Sequence, residues 1–136
     1  MKEAILKRNK ESGIKIIYLV DELPNKTSGW AFSKQIVRSG TSVEANYRAV
    51  CLAKSTADFI HKLKIVEEEC DETVFWLEVI EEAGMLSKDR IRNLKSEAIE
   101  LLTIFVSSLR KAKINSLAKL ETHYPNCQSS IVKSNL

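Results

Sequence analysis

Four glycines and two prolines in 136 residues leave this chain few places to turn. A sheet protein of such length needs several hairpins, each usually marked by Gly, Asn or Pro. Here the marks gather at Pro24 to Gly29, at Gly84 and at Pro125, which leaves long uninterrupted segments between them. Hydrophobic residues make up 44% of the chain and charged residues 29%, a globular balance that can bury one core without disulfides or metal.

The apolar residues recur at helical spacing. A first helix is expected over about 2–23, densest in Ile14 to Val20, with Gly13 a weak point and Pro24 its stop. The segment Asn25 to Gly29 reads as a polar loop. A second helix over about 31–52 carries Phe32, Ile36, Val43, Tyr47 and Val50 on one face. Ser55, with Asp58 three residues on, suits the start of a third helix over about 55–83. Its seam is Leu63, Val66, Cys70, Val74, Leu77 and Ile80, and Gly84 ends it. Ser87 caps a fourth helix over about 88–120, striped by Ile91, Leu94, Ala98, Leu101, Phe105 and Ala112. The expected fold is all-α: an antiparallel up-down four-helix bundle over residues 1–122, with 123–136 a flexible polar tail.

No signal peptide is recognisable, and no apolar run reaches the roughly 18 to 20 residues needed to cross a bilayer, so the expected location is the cytoplasm, with no membrane partner. Cys51, Cys70 and Cys127 are odd in number and widely spaced, which suits reduced thiols.

Charge is unevenly distributed although the net is only +3. Between Lys26 and Lys64 the bases Lys34, Arg38, Arg48, Lys54, Lys62 and Lys64 outnumber Glu44 and Asp58, whereas Ile65 to Gly84 is acidic and has no Lys or Arg. Lys34, Arg38 and Arg48 share the sector of the second helix opposite its apolar stripe. A basic face of this kind can contact phosphates without reading sequence, so these six bases are the candidate nucleic-acid-binding residues. The other use of such a face is as a solvated surface, or in ion pairs with a neighbour's acids.

Gln35, Ser39, Ser42 and Asn46, spaced four, three and four, form a ridge of small polar side chains along which another helix can approach. On the third helix Ile65, Trp76 and Val79 lie nearly opposite the seam, interleaved with Glu69 and Glu72. Two apolar faces suggest two sets of neighbours. Gln35, Ser39, Ser42, Asn46, Glu69, Glu72 and Trp76 are therefore the candidate oligomer interface, with Arg38 a partner for Glu69 or Glu72 from a neighbouring helix or subunit.

His61, His123 and the three cysteines show no metal-ligand spacing, and the Glu67-Glu68-Glu69 run has no Glu-x-x-His companion. There is no Gly-rich phosphate loop, and no histidine base lies near Ser39 or Ser42 in sequence. The expectation is a non-enzymatic protein with no catalytic residue, cofactor or metal.

The stretch Phe32-Ser-Lys-Gln-Ile-Val-Arg-Ser-Gly-Thr-Ser-Val-Glu-Ala-Asn46, with Ser55-Thr-Ala-Asp-Phe-Ile-His-Lys-Leu63 and Asp71-Glu-Thr-Val-Phe-Trp-Leu77, resembles the bacterial four helix bundle protein family. That family is also called the 23S rRNA intervening-sequence protein family, and the likeness runs from about Glu11 to about Arg110. Arg38, Ser39, Ser42, Asn46, Ser55, Phe59, Lys62, Glu72 and Trp76 match positions typical of it, whereas Glu44 and Glu68 stand where Gly and Lys are usual. The resemblance implies an antiparallel four-helix bundle, commonly a homopentamer. In some bacteria such proteins are encoded within sequences that interrupt the large ribosomal RNA gene. A related branch is the accessory variability determinant of diversity-generating retroelements, a basic pentamer that works with a reverse transcriptase and binds nucleic acid. The leading expectation is thus a homo-oligomer, a pentamer, that binds RNA or DNA non-specifically. The alternative is a protein-protein adaptor or scaffold that uses the apolar and acidic face of the third helix, with a partner such as a reverse transcriptase.

Overall fold

A computed structural model describes residues 1–123, which form four helices: α1 (Lys2–Val20), α2 (Thr27–Cys51), α3 (Thr56–Glu82) and α4 (Lys88–His123). No strand occurs among the described residues. The tail expected over 123–136 lies outside them, apart from His123 at the end of α4.

Each helix exists because it can bury one apolar stripe. The six seam residues expected on α3, Leu63, Val66, Cys70, Val74, Leu77 and Ile80, are all buried. They meet Ile91, Leu94, Ala98, Leu101, Phe105 and Leu109 of α4, Ile36, Val43 and Val50 of α2, and Ile5, Ile16 and Leu19 of α1. Burying each large side chain contributes about 1.5–3 kcal/mol before chain entropy is subtracted.

Neighbours run antiparallel, as expected. On α2 and α3, Arg38 reaches Glu69 while Phe32, earlier on α2, reaches Trp76, later on α3. On α3 and α4, Cys70 meets the Ala98 carbonyl, and Glu81, nearer the end of α3, meets Lys95, nearer the start of α4. Arg8 pairs with Glu97 and Arg90 with Glu22, which closes α4 onto α1 at two levels.

The caps follow local chemistry. The Ser55 hydroxyl accepts from the Asp58 N–H at 3.0 Å, and the Ser87 hydroxyl accepts from the Arg90 N–H at 3.3 Å. Gly84 takes φ +69° after α3, the left-handed conformation that a glycine adopts without strain.

Three boundaries differ from expectation. α1 ends at Val20 and not at Leu23, because a residue preceding proline is pushed out of the helical region. The chain leaves through bonds from Glu22 N–H to Leu19 O and from Leu23 N–H to Val20 O, which keep Leu23 buried. α2 begins at Thr27 and not near Ala31, so Gly29 belongs to its first turn. Gly29 is there for close approach, since a Cβ on it would stand 1.9 Å from the Pro24 carbonyl oxygen. α4 continues to His123, past the expected end at 120.

Polar residues cross the waist of the bundle. One apolar cluster gathers around Ile16, Leu19, Ile36, Leu77 and Ile80, and another around Ile5, Val43, Leu63, Val66 and Phe105. Between them along the helices lie the buried Asn9, Ser12, Ser39 and Thr73. Gly13 and Gly40 let α1 and α2 touch there, for a Cβ on Gly40 would come within 2.4 Å of Ile16 Cδ1. Asn9 is 1% exposed, and neither its amide nitrogen nor its oxygen has a partner among the described residues. It borders a cavity of about 20 Å³ lined also by Ser12, Cys70 and Thr73.

Gly29→Ala should lower stability by about 1–3 kcal/mol by forcing a methyl against the Pro24 backbone. An unchanged urea midpoint would show that the α1–α2 turn has room to yield.

Acid should loosen α1 from α4. The Arg8 guanidinium, hydrogen-bonded to Glu97 at 2.8 Å, holds that carboxyl below the usual range. A depressed carboxyl contributes stability above its unfolded value of about 4.3 and loses it as pH falls through the lower folded value. Glu97→Gln should therefore flatten the acid limb of a stability profile below about pH 5, and an identical limb would refute this origin.

Candidate nucleic-acid interface

α2 carries Lys34, Arg38 and Arg48 outward, all three exposed as its amphipathic pattern requires. They do not act as one group. Lys34 and Arg48 are 14 positions apart, roughly 21 Å along the helix axis. Arg38 between them turns to α3, with Nη1 3.0 Å from a Glu69 oxygen and Nη2 bonded to Glu72. Two carboxylates on one guanidinium, with Glu68 and Asp71 beside them, make that stretch acidic and not basic. Arg38 is thus an intrachain link between α2 and α3, one of the two uses foreseen for it.

The remaining candidates gather where α2 ends and α3 begins. Lys62 pairs with Asp58 at 2.9 Å and Lys64 with Glu67 at 3.3 Å, while Arg48 and Lys54 form no ion pair among the described residues. The Asp58 carboxyl is held low, first by the Lys54 backbone N–H at 3.0 Å and then by Lys62.

Antiparallel packing adds bases that sequence reasoning left out. α4 brings Arg110 and Lys113 to Lys64 around an open groove of about 270 Å³ that includes Ile114 and Leu117. Arg110, Lys111 and Lys113 are exposed and form no ion pair among the described residues. The Arg-Lys-Ala-Lys run is itself a charge cluster, but it is interleaved with the apolar stripe passing through Leu109 and Ala112, which masks it in the sequence. Lys2 of α1 reaches the same end, beside Lys54. One end of the bundle is therefore lined with bases from all four helices.

Of the candidate interface residues, Ser39, Glu69, Glu72 and Trp76 join α2 to α3 within the chain. Ser39 is fully buried, so it faces α3 and cannot meet a second subunit. Its hydroxyl shares a 3.0 Å hydrogen bond with Thr73, which also lies 2.9 Å from the Glu69 carbonyl. Asn46, half-buried, donates to the Ser42 carbonyl at 2.8 Å. Trp76 is half-buried between Phe32 and Phe75, with ring centroids 5.4 and 5.0 Å away, and its indole N–H is buried without a partner among the described residues. Gln35 is exposed, and so is Phe75 at 51%. Burial pushes the Cys70 thiol up to about 12, which keeps it protonated, and it meets the Ala98 carbonyl. Among the described residues no group of three or more His, Cys, Asp or Glu is placed to hold a metal, and no helix is long and apolar enough to cross a membrane.

Trp76→Phe should leave stability within about 1 kcal/mol of the parent, because it keeps the aromatic contacts and removes an unpaired N–H. Trp76→Ala should cost about 3 kcal/mol. Equal losses for the two in urea titration would mean that the indole nitrogen has a partner.

Residues 2–107 match the family described as 23S rRNA-intervening sequence protein. A crystal structure of a protein of unknown function from the S23 ribosomal protein family of Bacteroides thetaiotaomicron VPI-5482 superposes with a TM-score of 0.72 at 32% identity, covering 77% of this chain and 97% of that one. No curated protein matches.

Proposed function

The chain belongs to the 23S rRNA-intervening sequence protein family, and from that premise we propose a cytoplasmic, non-enzymatic homo-oligomer that binds RNA or DNA through its basic bundle end. The carrying observation is that Lys64 meets Arg110 and Lys113 round one groove at that end while Lys2 meets Lys54 round another, with Arg48 and Lys111 exposed nearby along α2 and α4. Such a set neutralises backbone phosphates and displaces their counterions without reading bases. On this reading, binding centres on the α2–α3 connection and the Arg110 to Lys113 stretch of α4, in place of Lys34 and Arg38.

Self-association is supported by the outer face of α1. Ile14, Ile17 and Tyr18, three and four positions apart, are exposed there, a stripe that a second copy would cover. A pentamer is the assembly that the family resemblance implies. The adaptor reading draws support from a different place, where Phe75 lies exposed among Glu68, Asp71 and the Arg38 ion pairs. A basic protein segment would fit that surface.

Light scattering coupled to size exclusion, with and without a short RNA, tests both parts. An oligomer that takes up RNA at low salt and releases it at high salt is expected. Replacing Arg110, Lys111 and Lys113 together with Gln should lower affinity at least tenfold and flatten its salt dependence by about 0.7 for each phosphate left without its cation. No uptake at low salt would leave the adaptor reading ahead.

A further inference from the structure

The basic end contains a second concavity whose lining differs from that of the groove beside Lys64. It lies between the start of α1, the end of α2 and the start of α3, measures about 460 Å³, and is open to solvent. Lys2 and Lys54 stand at it, both exposed and without an ion pair among the described residues. Tyr47 and Phe59 line it, both half-buried in the core below. The Tyr47 ring is backed by Phe105 at 5.6 Å between centroids. The volume lies within the roughly 300–1,000 Å³ typical of small-ligand sites.

Resting on the nucleic-acid reading above, we infer that this end takes single-stranded nucleic acid, with one base stacked on Phe59 and Tyr47 and the flanking phosphates held by Lys2 and Lys54. Bases of a duplex are stacked on one another and present only their edges, so a recessed aromatic surface is out of their reach. A single strand can splay a base out, and every base has a face that stacks. The groove beside Lys64 is walled by Val106, Leu109, Ile114 and Leu117 with no aromatic ring, so it offers phosphate contact only.

The Asp58 carboxylate, close to the Lys54 side of the groove, is already engaged. It accepts from Lys62 and from the Lys54 N–H, which compensates its charge and also pins the backbone that carries the Lys54 ammonium. The connection is thus anchored before any ligand arrives, which spares part of the ordering cost of binding.

The probe is an adenine-rich RNA of about 12 nucleotides carrying 2-aminopurine, titrated at low salt beside a duplex of the same length. The single strand should bind about tenfold or more tightly than the duplex, and its 2-aminopurine fluorescence should fall on binding. Phe59→Leu keeps apolar volume in the core and should bring single-strand affinity down about tenfold, leaving duplex affinity and salt dependence alone. Lys54→Gln should weaken both and reduce the salt slope by about one. Equal affinity for the two forms with no fluorescence change overturns the inference and leaves phosphate binding standing. Absence of binding by either form overturns both. The comparison of the two forms on the unaltered protein decides the matter even where Phe59→Leu folds poorly.

Discussion

The antiparallel seating of α3 on α4 is the constraint on which the surface depends. Leu63, Val66 and Cys70 on one helix and Leu101, Phe105 and Leu109 on the other have to share a single apolar cluster. Once they do, the two polar faces are no longer free to choose their neighbours. The acidic second half of α3 falls beside the start of α4, where Lys95 answers Glu81. The basic start of α3 falls beside Arg110 and Lys113. Charge separation along the bundle is thus a by-product of hydrophobic register, and shifting that register would scatter the bases.

The helices were legible because their information is local and redundant. A 27-residue helix repeats its apolar signal many times, and Ser55, Gly84 and Ser87 each carry a cap chemistry readable from one residue and its neighbours. Of the boundaries around Pro24, the end of α1 follows from the local restriction on the residue before proline, whereas the start of α2 depends on a contact made through space. Gly29 looks like a turn residue in isolation, and only the approach of the Pro24 carbonyl shows that the missing side chain serves contact. Likewise, Gly13 reads as a weak point in α1, whereas it sits where α1 presses on α2 beside Gly40.

The candidate site was legible in part. Residue type and helical sector correctly put Lys34, Arg38 and Arg48 on the outside, but a sector says nothing of which opposite charge stands across the groove. Arg38 had two readings, phosphate contact or ion pair, and only the position of Glu69 and Glu72 decides for the latter. The polar ridge of α2 was recognisable as a place of close approach, and Ser39 shows that the approaching helix is the chain's own α3. Tyr47 read only as a position on the apolar stripe and Phe59 only as one typical of the family, so neither marked an open aromatic surface. Their partial exposure follows from the α2–α3 connection lying open beside the start of α1.

The polar waist has a consequence for how the molecule holds together over time. With Asn9, Ser12, Ser39 and Thr73 set between two apolar clusters, hydrophobic contact from one end to the other thins at mid-height, where Leu102 packs against both. The helices themselves must carry order across, as stiff rods threaded through both halves. Disorder that begins at one end thus meets a natural firebreak, and the Leu77 and Ile80 half can keep the four helices gathered when the other end frays.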